Sequence, residues 1–200
     1  ANPHAYNRHQ PFTLRWSELP RDPYIGYSFC CPPNVVRTIA EASGYVYGLD
    51  KKGIYIHLYG ANHLKTVSDA GEQIDIREKT DYPWDGHILL TLERMPKSTY
   101  SLYLRIPGWA AGATVKINAA LQPQKIMPGT YLTLTRNWQA GDKIELDFPM
   151  EVKLMAASPL VEANRGQVAV QRGPVVYCLE SKDLPPGVDI EDICIDKNSK

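Results

Sequence analysis

The chain has 200 residues, 44% of them hydrophobic, and its 22 basic and 22 acidic residues give a formal net charge of zero. This length and composition allow a substantial hydrophobic core, and without a basic excess we expect no nucleic-acid partner. No apolar run approaches the roughly 18 residues that a membrane-spanning helix needs, so we expect no membrane partner either.

The N-terminal segment, residues 1–23, is rich in proline, histidine, arginine and aromatic residues and shows no periodicity. It also lacks the charged start, apolar stretch and cleavage site of a signal peptide. Such a segment is typical of a loop that belongs to a larger body. We therefore expect the chain to be part of a longer protein, and its compartment stays unknown.

A helix is predicted over residues 33–47. Apolar residues recur at spacings of four, three and four, which marks one face of a helix: Val35, Ile39, Ala42 and Val46. Pro32 and Pro33 suit a first helical turn, where a missing N–H costs nothing. Residues 50–53 then form a predicted turn.

From Gly53 onward the period changes to two, which is typical of β-strands. In the first run one face carries Ile54, Ile56 and Leu58, and the other carries Tyr55, His57 and Tyr59. Similar runs cover residues 73–78, 88–92, 101–106, 114–117, 131–134, 143–148, 152–156, 167–172 and 175–179. Short turns and no helices separate them, which predicts an all-β, antiparallel β-sandwich or jelly roll.

Adjacent Cys30 and Cys31 immediately precede the predicted helix. A helix N-terminus lowers a thiol's pKa toward the reactive thiolate, so the pair is consistent with a nucleophile, metal ligands or both. It is equally consistent with small buried residues at a loop-to-helix junction. A zinc site needs four ligands, or three and a water, and no CxxC or HxxxH spacing supplies the others.

Residues 81–86 place two carboxylates beside two aromatic side chains, a combination that could serve a sugar site. The simpler interpretation is a tight turn with its corner at Asp85 and Gly86 and with Trp84 packed inward. His57 and His63, near one strand end, are more typical of hydrogen-bonded or exposed histidines than of metal ligands.

Six segments together resemble glycoside hydrolase family 127, the β-L-arabinofuranosidase family, in its C-terminal part. They are Phe-Cys-Cys-Pro-Pro-Asn at 29–34 with Arg37 three residues on, Gly-Ile-Tyr-Ile-His-Leu-Tyr at 53–59, Thr-Asp-Tyr-Pro-Trp-Asp-Gly at 80–86, Leu-Arg-Ile-Pro-Gly-Trp at 104–109, Arg-Asn-Trp through Gly-Asp at 136–142, and Val-Gln-Arg-Gly-Pro-Val-Val-Tyr at 170–177. Each segment is weak alone, but all six occur in the family's order.

The resemblance implies an (α/α) barrel upstream and a zinc cofactor. Carried over, Cys30 would be the catalytic nucleophile and a zinc ligand, and Cys31 a second zinc ligand. The family's remaining ligands, a glutamate and a cysteine, and its acid/base glutamate lie in the barrel, upstream of these residues. Cys178 and Cys194 match no family ligand. The implied activity is retaining hydrolysis of an arabinose-containing glycan, and we expect the chain alone to be inactive. Relatives in bacteria suggest an exported or periplasmic setting.

On this basis residues 1–52 are a remnant of the barrel, 53–181 a β-sandwich and 182–200 a polar tail. The helix has lost its barrel, so we expect it to pack on the sandwich, to fray, or to bind a second copy as a homo-oligomer. Two alternatives stay open. One is a non-catalytic carbohydrate-binding or structural module, with Tyr55 and Tyr59 on one strand face. The other is a redox or metal-storage protein based on the cysteine pair.

Overall fold

The computed structural model describes residues 30–196, apart from the side chains of Cys31, Pro32, Ala163, Ser181 and Glu191. These residues divide into two compact units, one of residues 30–39 together with residues 178–196, and one of Ala40–Tyr177. No helix among residues 30–196 is long and apolar enough to cross a bilayer.

Helix α1 spans Cys31–Glu41, and a short 3-10 helix, Ala42–Tyr45, follows it. The prediction of one helix over residues 33–47 is therefore wrong at its C-terminal end. Ser43 and Gly44 are weak helix formers, and the next residues pair with a strand instead. The Val46 carbonyl accepts a hydrogen bond from the His57 N–H at 2.8 Å. Tertiary pairing thus overrides the apolar period.

Thirteen strands lie within the described residues. They are β1 Tyr47–Leu49, β2 Gly53–Ile56, β3 Asn62–Val67, β4 Gln73–Thr80, β5 His87–Arg94, β6 Tyr100–Arg105, β7 Thr114–Ile117, β8 Ala120–Leu121, β9 Tyr131–Arg136, β10 Asp142–Asp147, β11 Val152–Ala156, β12 Val168–Arg172 and β13 Val175–Tyr177. Ten of these overlap the predicted runs. The three others, β1, β3 and β8, were not predicted, because β1 follows the helical pattern, β3 is polar and β8 has two residues.

The strands form a four-stranded sheet, β1-β2-β6-β9, and a six-stranded sheet, β3-β4-β5-β10-β7-β8. All pairs are antiparallel except β2 with β6, which run parallel. Strands β3 to β5 intervene along the chain and belong to the other sheet, so β2 and β6 are not joined by a hairpin. The expectation of antiparallel pairing is confirmed apart from this pair.

One hydrophobic core contains residues from both sheets. Ile54 and Leu102 of the four-stranded sheet and Ile76, Leu90 and Ile144 of the six-stranded sheet have no exposed surface. The three residues of the six-stranded sheet alternate with more exposed neighbours along their strands, as the period of two requires. The all-β sandwich predicted from the sequence, with a single α-helix in the described residues, is confirmed.

Strands β11, β12 and β13 form a third, antiparallel sheet. All five residues of β11 are exposed, in contrast to the buried strands of the sandwich. Gly173, between β12 and β13, adopts a φ of 57°. A Cβ atom there would lie 2.2 Å from the sulfur of the flexible Met150 side chain, which would have to move, and the positive φ is what favours glycine.

Candidate functional site

Cys30 is exposed and directly precedes the first residue of α1. Its carbonyl oxygen accepts hydrogen bonds from the Asn34 N–H at 3.2 Å and from the Asn34 side-chain amide at 2.7 Å. Arg37 in turn donates to the Asn34 side-chain oxygen at 2.5 Å. Asn34 and Arg37 therefore hold the turn that presents Cys30.

The i, i+4 and i, i+3 spacings of Cys30, Asn34 and Arg37 place them on one side of the first helical turns. These spacings are the sequence signal for the hydrogen bonds at the start of α1. The Thr38 hydroxyl also donates to the Asn34 carbonyl at 2.8 Å, within the helix. Asn34 and Arg37 thus support the position of Cys30, a role that was not predicted for them from the sequence.

Among the described side chains, Cys178 and Cys194 do not join Cys30 in a metal cluster. Cys178 and Cys194 are exposed, and the Cys31 side chain lies outside the described part of the structure. Among the described side chains one group of three potential ligands converges, and it consists of His63, Asp75 and Glu93. The zinc ligation expected of Cys30 and Cys31 therefore stays a prediction.

Residues 81–86 contain a tight turn, as the simpler interpretation predicted, but the turn lies at Tyr82–Trp84 and not at the predicted corner of Asp85 and Gly86. The Trp84 and Asp85 N–H groups donate to the Asp81 carbonyl at 2.9 and 3.3 Å, and the Asp85 carboxylate accepts from the His87 N–H at 2.7 Å. Trp84, however, is 64% exposed, so the expectation that it packs inward is wrong. Tyr82 is the aromatic residue that packs, against Tyr59 and Trp109.

A cluster of rings lies on the four-stranded sheet. Tyr55 stacks on Tyr103 with centroids 4.2 Å apart, and Tyr131 meets Tyr55 edge-on at 5.5 Å. The Tyr131 hydroxyl and the His57 ring nitrogen are 2.6 Å apart. Because Tyr103 covers one face of the Tyr55 ring, these two rings are packed together and do not form a flat platform for a sugar.

The expectation that Tyr55 and Tyr59 share a strand face is wrong. Strand β2 ends at Ile56, and the chain then turns so that Tyr59 enters the core. There its hydroxyl donates to the Arg105 carbonyl at 2.7 Å. Burial raises the pKa of Tyr59 well above its ordinary value, and the nearby charge of Glu78 adds to this effect.

The most buried carboxylate of the described chain belongs to Glu78, which is 2% exposed. It accepts hydrogen bonds from the Gly60 N–H at 2.9 Å and from the Asn62 amide at 3.2 Å. Desolvation raises the Glu78 pKa to about 7, although these hydrogen bonds favour the charged form. Glu78 follows Ile74 and Ile76 at intervals of two residues in β4, which places it on the same face of the strand. The sequence pattern therefore indicated that it is buried.

Two family models match the chain. Residues 53–150 match the middle domain of family 127, described as β-L-arabinofuranosidase, and residues 152–200 match the family's C-terminal domain. The first model thus begins where the predicted sandwich begins, whereas the boundary between the models falls inside the predicted range 53–181. The predicted domain limits stay a prediction.

A curated relative supports the same assignment. The non-reducing end β-L-arabinofuranosidase of Bifidobacterium longum subsp. longum is 35% identical over 165 residues, which cover 78% of this chain and 24% of the relative.

Similar solved structures come from the same group of enzymes. A glycoside hydrolase is 42% identical with a TM-score of 0.82, over 92% of this chain and 30% of its own. The family 127 β-L-arabinofuranosidase of Geobacillus stearothermophilus T6 is also 42% identical, with a TM-score of 0.70 over 75% of this chain and 24% of its own. A family 127 β-arabinofuranosidase is 34% identical, with a TM-score of 0.75 over 83% and 28%.

The β-sandwich is thus shared with carbohydrate-active enzymes. The chain belongs to glycoside hydrolase family 127, of which it contains the middle and C-terminal domains. It spans about a quarter of the length of the curated relative.

Proposed function

We propose that the chain is the C-terminal part of a retaining glycosidase that hydrolyses β-L-arabinofuranosides, with Cys30 as its nucleophile. The observation that carries the proposal is the position of Cys30, which is exposed at the first turn of α1 in a chain of this family. A helix N-terminus favours an anionic side chain, and the Asn34 hydrogen bonds fix the backbone that carries the thiol.

The chain's own chemistry follows from the thiolate. The Cys30 sulfur attacks the anomeric carbon, a sulfur–carbon bond forms, and the bond from that carbon to the leaving oxygen breaks. The glutamate of the upstream barrel protonates the leaving oxygen. Water then gives a proton to the same glutamate and attacks the same carbon as the thiolate departs, so two inversions give net retention. This scheme replaces the nucleophilic carboxylate of the usual two-carboxylate glycosidase with sulfur.

Zinc is the cofactor that the cysteine pair fits. Thiolates are preferred zinc ligands, and an exposed Cys30 can share an ion with side chains of another domain. Cys30 and Cys31 would supply two of four ligands, and a glutamate and a cysteine of the barrel the others. When bound, zinc keeps a coordinating thiol deprotonated at neutral pH.

In this proposal, the barrel and the present chain supply different residues of the active site. The barrel is the partner that supplies the acid/base and the remaining ligands, so the 200-residue chain alone is inactive. The sandwich begins shortly after α1 along the chain and has its own fully buried core. The substrate is an arabinose-containing glycan, as the name of the Bifidobacterium longum relative suggests.

The experiment compares single-cysteine variants of the protein in which this chain is joined to its barrel. The substrate is 4-nitrophenyl β-L-arabinofuranoside. Cys30→Ser should lower kcat/KM by at least about a thousandfold, because the nucleophile of both steps is lost. Cys178→Ser is the matched control, since Cys178 is also exposed, and it should leave kcat/KM within about twofold. Wild-type turnover by Cys30→Ser would overturn the proposal.

The 200-residue chain is tested in the same assay. No turnover is expected, because it lacks an acid/base. Hydrolysis by the chain alone would contradict the claim that the barrel supplies the acid/base. The role of Cys30 would still be decided by comparing Cys30→Ser with Cys178→Ser.

A further inference from the structure

One imidazole and two carboxylate side chains converge on the outer face of the six-stranded sheet. They come from three neighbouring strands: His63 from β3, Asp75 from β4 and Glu93 from β5. Their nearest ligand atoms all lie within 4.8 Å of one another. These three residues have no role in the glycosidase reaction proposed for Cys30.

An irregularity in the sheet contributes to this arrangement. Ile76 pairs with Leu92, but the preceding Asp75 pairs with Arg94, so Glu93 is an additional residue in β5 at this point. Such β-bulges change the direction of side chains and are common beside functional sites. The bulge lies where the Glu93 carboxylate approaches the Asp75 and His63 side chains.

The distances show which atoms face one another. The His63 Nε2 atom lies 2.5 Å from Asp75 Oδ1 and 3.5 Å from Glu93 Oε2. The side chains of His63, Asp75 and Glu93 are 27%, 14% and 35% exposed. An ion from solvent therefore has access to the group, and the sheet backbone fixes the three attachment points.

The remaining carboxylate oxygens are held by cations. Arg77 Nε donates to Glu93 Oε1 at 2.7 Å, and Lys65 Nζ lies 4.0 Å from Asp75 Oδ2. Each carboxylate thus has one oxygen near a basic side chain and the other directed at His63 Nε2. Ligating carboxylates in metal sites are commonly oriented by outer partners in this way.

We propose that His63, Asp75 and Glu93 form a binding site for a divalent first-row transition-metal ion. One imidazole nitrogen and two carboxylate oxygens suit this class of ion, and water would complete the coordination. An ion bound to His63 Nε2 takes the place of the hydrogen bond between this atom and Asp75 Oδ1, because a ligating imidazole nitrogen carries no proton. Arg77 and Lys65 offset the two carboxylate charges, so the affinity is modest.

The chain offers a matched control on the same sheet. His87 Nδ1 lies 2.8 Å from Asp147 Oδ1. Among the described side chains, no second carboxylate converges on that pair to complete a three-ligand group. A site that needs three ligands should therefore depend on His63 and not on His87. Both histidines are surface residues of strands, so their replacement by alanine perturbs the fold to a similar extent.

The test is titration of the 200-residue chain with Mn²⁺, with the free ion followed by electron paramagnetic resonance. Mn²⁺ is chosen because it prefers oxygen and nitrogen ligands, so the cysteines do not interfere. The expected result is one ion per chain and binding at least about tenfold weaker in His63→Ala, with no change in His87→Ala. Circular dichroism spectra of both variants establish that they are folded.

A second measurement separates a metal site from a network of ion pairs. Mn²⁺ should raise the melting temperature of the parent and of His87→Ala but not that of His63→Ala, because only a folded site binds the ion. Asp75→Asn, which keeps the side-chain shape, should weaken binding as His63→Ala does. Equal binding by the His63 and His87 variants, or no binding by the parent, would overturn the proposal.

Discussion

The Tyr47 hydroxyl lies 3.5 Å from the carboxylate of Glu78, although Tyr47 is in the four-stranded sheet and Glu78 in the six-stranded sheet. The same hydroxyl donates to the Asn62 side-chain oxygen at 2.6 Å. Burial and the nearby Glu78 charge raise the pKa of Tyr47 above its ordinary range. This group of polar side chains joins the first strand after α1 to the opposite sheet.

Stability should fall as the pH rises through this group's titration. Burial raises the pKa of Glu78 from 4.5 to about 7, so the folded chain holds a proton that the unfolded chain has lost. The protonated Glu78 side chain contributes its full stabilisation below about pH 4.5. This contribution is lost by about pH 7, a change of about 3 kcal/mol in the free energy of unfolding.

Urea unfolding between pH 5 and pH 8 measures this effect. Glu78→Gln cannot ionise, so the parent should lose free energy of unfolding relative to this variant as the pH increases. Asp75 and Asp142, whose pKa values are lowered, are present in both proteins and cancel in the comparison. Parallel pH profiles would show that Glu78 does not titrate in this interval.

Gly86→Ala should destabilise the sandwich. A Cβ atom at this position would lie 2.0 Å from the Phe148 carbonyl oxygen, and backbone on both sides would have to shift. Overpacking of this kind costs about 1–3 kcal/mol. Gly60→Ala is the control, since a Cβ atom there has no neighbour within 4 Å, and it should change the free energy of unfolding by less than about 0.5 kcal/mol. Equal unfolding midpoints in denaturant would contradict the packing argument.

Asn34→Ala should impair the glycosidase through the position of Cys30. The change removes the hydrogen bonds that join Asn34 to the Cys30 carbonyl and to Arg37, and loss of such a contact at a helix start costs about 1 kcal/mol. In the protein with its barrel, kcat should fall about tenfold with little change in KM, because the nucleophile is misplaced.

Thr38→Val is the control for Asn34→Ala. It removes the hydroxyl that donates to the Asn34 carbonyl but keeps the shape of the side chain. A serine or threonine hydroxyl bonded within a helix adds little stability, so kcat should stay within about twofold of the parent. A similar loss in both variants would indicate general loosening of α1.

Much of the sandwich could be predicted because each core strand alternates. Ile74 and Ile76 are buried between exposed or half-buried neighbours, as the period of two indicated. β1 could not be predicted, because the preceding Val46 continues the helical spacing. Hydrogen bonds between Val46 and the residues after β2 determine the structure of this segment instead.

The candidate sites were predictable to different degrees. Cys30 stands out in the sequence because an adjacent pair precedes two prolines and a helical period. The His63, Asp75 and Glu93 group depends on strand register and on a β-bulge, neither of which follows from residue pattern. The resemblance to the family implies further zinc ligands in the barrel, and this stays a prediction.

The most direct test of the central claim is to trap the sugar on its nucleophile. The protein with its barrel is quenched in acid during turnover of the aryl arabinofuranoside, and tryptic peptides are analysed by mass spectrometry. The account predicts one anhydropentose on the peptide of residues 22–37, with fragment ions that place it on Cys30. A sugar on a carboxylate, with Cys30 unmodified, would contradict it.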